Sequence, residues 1–126
     1  MVINSDLRRA LVEHAKAELP NEACGILVLK NGIAVEYRPG INEEPSPYHF
    51  KLRPGSPLDV YLEDDGFELA LFHTHIFSPP RPSRTDVELS PAWPDRPWLI
   101  LSLATGELAA WKIVDRDIES TPLTSA

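Results

Sequence analysis

Between Ser5 and Glu18 the apolar residues Leu7, Ala10, Leu11 and Ala15 recur three and four positions apart. That period predicts a helix with one buried face, started by Ser5 as N-cap and stopped before Pro20. The pattern then changes. Ala23 to Leu29 (ACGILVL) is apolar without a break, as in a strand covered on both faces. Asn31-Gly32 follows, a strong two-residue hairpin signal, and Ile33 to Arg38 returns as the partner. There Ile33, Val35 and Tyr37 alternate with Glu36 and Arg38, so one face of this strand meets water.

Pro39 to Pro47 reads as loop, Tyr48 to Leu52 as a short strand, and Ser56 to Asp64 as a short helix with Ser56 as cap and Pro57 at its first position. Glu68 to Thr74 (ELALFHT) is a third apolar strand that carries His73 at its end. Ser83 to Asp86 opens a helical turn that Pro91 ends. Trp98 to Leu103 and Leu108 to Val114 form a hairpin around Thr105-Gly106, followed by a weak strand near Ile118. Helices at 5–18, 56–64 and 84–90 among about six strands predict a single mixed α/β domain over 1–118, with 119–126 as a polar tail.

At 126 residues the chain has the length of one domain, and no apolar run approaches the ~18 residues of a membrane span. The first residues turn charged after Ile3 and carry no signal-peptide core, so a cytoplasmic location is expected. Cys24 is the single cysteine and cannot form an internal disulfide, in keeping with a reducing compartment. A net charge of −7 argues against a nucleic-acid backbone as the main partner. The thirteen prolines cluster at 39–57 and 79–97, on either side of a histidine-bearing stretch. Aromatic residues interleave with them, which marks ordered loops.

That stretch, Leu71 to Asp86 (LFHTHIFSPPRPSRTD), carries the chemistry. Residues i and i+2 of a strand share a face about 6.6 Å apart, so His73 and His75 can converge on one ion while Thr74 turns away. Asp86 is the candidate third ligand from a different element. Two imidazoles and a carboxylate leave a fourth position open, as catalytic zinc sites do, whereas structural sites are closed by four ligands and rich in cysteine. Each residue also has a plain reading. A histidine at a strand end is ordinarily just part-buried, and Ser83-x-x-Asp86 is also a capping-box pattern. Glu22 alone reads as a solvated acid at a strand entry, Cys24 as an inert buried thiol, His14 as a solvated helix residue and His49 as a strand residue on a polar face.

Taken together, Glu22, His73-Thr74-His75, Ser83 and Asp86 resemble the motif of the JAMM (MPN+) metallopeptidases, a glutamate followed later by H-[ST]-H-x7-S-x-x-D. The resemblance extends over about residues 5 to 114. It implies a mixed, mostly antiparallel sheet flanked by an N-terminal helix and one or two short helices. It further implies one zinc per chain on His73, His75 and Asp86, with Glu22 as general base for the zinc-bound water and Ser83 as oxyanion donor. Two departures stand out. Many members have proline after the second histidine, where this chain has Ile76 and then Phe77. Nor is there room for the long insertions with which eukaryotic members grip ubiquitin.

Pro82 to Val87 and the small size look most like the bacterial members that release cysteine from a sulfur-carrier protein. The expected substrate is therefore a ubiquitin-fold carrier with a Gly-Gly tail, cleaved after its terminal glycine. A desampylase-like isopeptidase or a non-catalytic scaffold are the alternatives; a RadC-like role lacks the expected preceding helical segment. No membrane partner is expected, and a homodimer is one option for the assembly.

Overall fold

The computed structural model describes residues 1–126. In chain order its elements are β1 (Val2–Ile3), α1 (Ser5–Ala17), β2 (Cys24–Lys30), β3 (Ile33–Pro39), β4 (Ile41–Asn42), β5 (Leu52–Arg53), a 3-10 helix (Asp59–Asp65), β6 (Glu68–His75), α2 (Arg84–Leu89), a 3-10 turn (Ser90–Ala92), β7 (Trp98–Ser102), β8 (Leu108–Val114), β9 (Asp117–Thr121) and β10 (Thr124–Ser125). Eight strands form one sheet in the order β10-β1-β3-β2-β6-β7-β8-β9, and β4 pairs with β5 apart from it. The class is the expected mixed α/β domain, with ten strands in place of about six.

The apolar runs lie at the centre of the sheet. Along β2, Leu27 and Leu29 face the cluster under α1, with Leu11, Ala15, Phe72 and Leu99. Cys24, Ile26 and Val28 face the other way, toward Phe50, Leu69, Leu71 and Trp98. Both faces are covered, so alternation vanishes from the sequence. Each fully buried leucine or isoleucine here contributes about 1.5–3 kcal/mol. On β6 the same alternation places Leu69, Leu71, His73 and His75 in one file and Phe72 and Thr74 in the other. Thr74 Oγ1 accepts a hydrogen bond from Ala23 N at 2.9 Å, locking the start of β2 against the end of β6.

β6 and β7 run parallel, with His73 beside Ile100 and His75 beside Ser102. A parallel pair demands a crossover of a dozen or more residues. Residues 76–97 are that crossover, and they bring Ser83 and Asp86 back over the end of β6.

Several expectations are corrected. Asn4, not Ser5, caps α1, its side-chain oxygen accepting from Leu7 N at 2.8 Å, because β1 runs directly into it. The segment 56–64 is a 3-10 helix from Asp59 to Asp65 without a side-chain cap; Ser56 and Pro57 lie in the turn before it. The strand expected at 48–52 is reduced to Leu52–Arg53. His14 is nearly buried rather than solvated, its Nδ1 lying 2.6 Å from the Tyr37 hydroxyl on β3. Residues 119–126 are no tail. β9 folds back on β8 through Asp115 and Arg116, both at positive φ, a hairpin turn that a non-glycine pair does not announce in sequence. β10 then pairs with β1 at the opposite border of the sheet, which curls until Pro122 and Leu123 link its two edges.

Candidate metal centre

At the end of β6, three side-chain atoms meet. His73 Nε2 lies 3.2 Å from His75 Nε2 and 3.1 Å from Asp86 Oδ2, and His75 Nε2 lies 3.0 Å from the same oxygen. All three residues are buried, at 0, 3 and 2% exposure. His75 Nδ1 sits 2.8 Å from the Pro79 carbonyl, which can only accept, so Nδ1 carries the proton. In the neutral ring Nε2 is then a lone pair. It faces a carboxylate oxygen that already accepts from Ser83 N at 2.9 Å. Lone pairs packed against one another out of water require positive charge between them. A tetrahedral ion with bonds of about 2.0–2.1 Å holds its ligands roughly 3.3–3.4 Å apart, close to the spacing here. The donor set therefore fits a zinc-like cation, and the three residues form the chain's metal-competent group.

The surroundings orient the two histidines unequally. The His73 ring is stacked on Phe50, with centroids 4.3 Å apart and 22° between planes, and stands edge-on to Trp98 at 5.5 Å. Its Nδ1 is buried without a partner. On its Nδ1 side only packing holds His73, whereas the Pro79 carbonyl holds His75. Burial pushes His73 below the ordinary histidine range. Burial pulls His75 the same way, but the Asp86 and Pro79 hydrogen bonds outweigh it and raise the group. For Asp86, burial acts upward; the two histidines and the Ser83 N–H overcome it and hold the carboxyl well below the usual carboxylate range.

Ser83 and Asp86 form a full capping box at the start of α2: Ser83 Oγ accepts from Asp86 N at 3.1 Å while Asp86 Oδ2 accepts from Ser83 N. The plain reading of this pair and the metal reading are thus both met by one geometry. The cap uses Ser83 Oγ as an acceptor only, so its hydroxyl proton is available to the cleft.

Glu22 opens onto that cleft, about 260 Å³, which it shares with His75, Ser83, Tyr48, Ile76 and Phe77. The residue is 3% exposed and its Oε1 is buried without a partner. Burial first, and then the Asp86 charge against the opposing pull of His75, push the Glu22 carboxyl up to about 8. A cation at the neighbouring triad would act the other way. The backbone of Glu22 is tied down on both sides, its N–H donating to Ser46 O at 2.8 Å and its carbonyl accepting from Asn42 Nδ2 at 3.1 Å.

All five residues singled out in the sequence therefore converge, with His73, His75 and Asp86 in the triad and Glu22 and Ser83 on its open side. Cys24 pairs with His73 across the sheet, but burial pushes its thiol up to about 12 and it adds no donor to the triad. His49 is half-exposed beside Glu44 and outside the cleft. A larger cleft of about 330 Å³ lies beyond Phe50, walled by Leu52, Leu89, Trp93 and Trp98; it holds no cluster of titratable groups of this kind. Three contributors were not legible in sequence. Asn42 and Tyr48 sit in segments read as loop and strand, and Phe50 matters only through its stacking on His73. A loop asparagine followed by acids and proline gives no signal beyond a turn.

The crossover loop that departs from the expected proline is nonetheless pinned. Its Ser78, Pro79 and Pro80 carbonyls accept, respectively, from Ser102 Oγ at 2.7 Å, His75 Nδ1 at 2.8 Å and Trp111 Nε1 at 2.7 Å.

Residues 4–114 match the model of the family described as prokaryotic homologs of the JAB domain. The chain is 35% identical to the CysO-cysteine peptidase of Mycobacterium tuberculosis, over 98% of this chain and 89% of that protein. It is 33% identical to the desampylase of Pyrococcus furiosus, over 76% of this chain and 69% of that one. Among solved structures, that of a Desulfitobacterium hafniense protein superposes with a TM-score of 0.80 at 26% identity, covering 100% of this chain and 93% of the other.

Proposed function

Because the chain belongs to the family of prokaryotic homologs of the JAB domain and is a JAB-type peptidase, we propose that it hydrolyses the amide or isopeptide bond after the C-terminal glycine of a small ubiquitin-like or sulfur-carrier protein, releasing cysteine from a carrier–cysteine adduct. The observation that carries the reading is the buried, unpartnered Glu22 carboxylate opening on the same cleft as His75 and Ser83, beside a lone-pair triad. Similarity to the mycobacterial peptidase along nearly the whole of both chains supports the substrate class.

In this reading one zinc per chain, held by His73, His75 and Asp86, supplies a Lewis acid for the scissile carbonyl and lowers the pKa of water toward ~7. Glu22 is the general base. It takes one proton from the attacking water, whose oxygen bonds to the carbonyl carbon, and returns it to the nitrogen as the C–N bond breaks. One water is consumed, and a carboxylate and an amine are formed. The Ser83 hydroxyl, free of donor duty in the cap, hydrogen-bonds the carbonyl oxygen as negative charge gathers there. The buried, unpaired Cys24 suits a reducing, cytoplasmic setting.

Similarity to the archaeal desampylase favours a second reading, in which the leaving group is a lysine side chain. One experiment separates the two: incubation with a ubiquitin-fold carrier bearing either a C-terminal cysteine or an isopeptide-linked lysine peptide, followed by intact mass. Loss of the cysteine is the expected result. Cleavage of the lysine adduct alone supports the second reading, and failure to cleave either would falsify both.

A further inference from the structure

We propose that Tyr48 and Phe77 form the surface that receives the residue leaving as the amine, and that they select a leaving residue with an apolar or sulfur-bearing side chain. The inference rests on the hydrolytic reading above. Tyr48 comes from the loop before β5 and Phe77 from the crossover after β6, yet their ring centroids lie 5.6 Å apart with 37° between planes, within the range of an attractive ring pair. Both remain open to water, at 71 and 67% exposure, whereas Phe50, Phe72 and Trp98 are at 5, 0 and 2%. Tyr61 is exposed as well but has no ring partner. A cross-loop aromatic pair left uncovered on the rim of the cleft that holds Glu22 is a surface with a missing occupant.

Its position says which half of the substrate covers it. Tyr48 N donates to Ser46 Oγ at 3.0 Å, and Ser46 O accepts from Glu22 N. Asn42 Nδ2 donates both to Glu22 O and, at 3.3 Å, to His49 O. The Tyr48 loop is thereby held to the backbone of Glu22, and farther along it Phe50 stacks on His73. Glu22 delivers its proton to the leaving nitrogen, and Ser83 takes the carbonyl oxygen. The residue that owns the nitrogen therefore extends past Glu22, onto the rings. The wall it meets is Pro47, Tyr48, Ile76 and Phe77, and no lysine or arginine lines this cleft to pair an acidic side chain. Thiol and thioether sulfur make favourable contacts with aromatic rings, and an apolar side chain covers their exposed faces.

The test uses one ubiquitin-fold carrier extended at its C-terminus by a single Cys, Met, Gly or Asp, with release of that residue followed by mass. The wild-type chain is expected to cleave the Cys and Met extensions with kcat/KM about tenfold above Gly and Asp. Tyr48→Ala and Phe77→Ala should each bring that ratio toward one, chiefly by raising KM for Cys and Met, at unchanged metal content; Tyr48→Phe should restore it. Equal wild-type rates on all four extensions overturn the inference. So does an equal loss on all four in the alanine variants, which marks the rings as structural. If the wild-type chain cleaves none of them, the hydrolytic reading itself fails.

Discussion

Ser83 is where two demands on one side chain can be pulled apart. As an N-cap its oxygen accepts from Asp86 N, and caps of this kind are worth about 1 kcal/mol against alanine but only a few tenths against glycine. As an oxyanion donor its hydroxyl would be worth about 10²- to 10³-fold in kcat. Ser83→Gly therefore leaves folding stability within a few tenths of a kcal/mol of wild type, and in either variant Asp86 Oδ2 can still accept from the backbone N–H of position 83. Ser83→Ala should cost about 1 kcal/mol in total. The two variants are expected to differ in urea midpoint yet to fall together in kcat, by the same two to three orders of magnitude. Bound zinc, measured by elemental analysis, should stay near wild type in both. A Ser83→Gly protein that keeps more than about a third of wild-type kcat would refute the donor role and reduce Ser83 to a cap.

Other outcomes follow from the same geometry. Glu22→Gln should retain zinc and lose hydrolysis by about 10²- to 10⁴-fold, whereas Asp86→Ala and His75→Ala should lose metal and activity together; loss of metal from Glu22→Gln would show that Glu22 is a ligand after all. Asn42 uses both its donors, to Glu22 O and His49 O, and its oxygen accepts from Glu44 N and Lys51 N. Asn42→Ala should cost about 1–3 kcal/mol by urea unfolding and lower kcat more than it changes KM, and Asn42→Asp, which keeps the acceptors, should recover part of the stability; equal stability of all three proteins would contradict this. Burial holds His14 below its ordinary 6.5, with Glu18 opposing. Just below 6.5 the unfolded chain then takes up the proton more readily than the folded one, so stability falls as pH drops through 6.5. Melting temperatures at pH 7.5 and pH 5 should converge in His14→Gln relative to wild type, and an unchanged difference would argue against it.

The strong periodic elements were legible because burial dictates them. β2 and β6 are continuous apolar runs since both their faces are covered, and α1 shows its stripe since one face packs on the sheet. The candidate site was legible because His73 and His75 ride on one such strand at a spacing that shares a face, and because Ser83 and Asp86 follow at a helix start. What stayed hidden depends on distant parts of the chain. The closure of β10 onto β1 brings together positions more than a hundred residues apart, and its two-residue strand has no pattern of its own. The Asp115-Arg116 turn relies on positive φ at residues that do not advertise it. Asn42 and Tyr48 acquire meaning only when their loop meets Glu22, and nothing local to His14 shows that Tyr37 covers it.

The parallel pairing of β6 and β7 also shapes how this chain can be altered. Along the chain, the strand that carries His73 and His75 reaches its hydrogen-bonded neighbour only through the crossover, so the wall of the cleft can change in length and side chains without breaking a rung of the ladder. Doubling such a loop costs only about 0.6 kcal/mol in closure entropy. The three carbonyl anchors at Ser78, Pro79 and Pro80 divide the crossover into a short span next to the histidines and a longer one leading to Ser83 and beyond. Ile76 and Phe77 lie in the first span, bounded by β6 on one side and the anchors on the other. These two residues can thus vary as a pair at the cleft wall, provided the Pro79 carbonyl keeps its hold on His75 Nδ1.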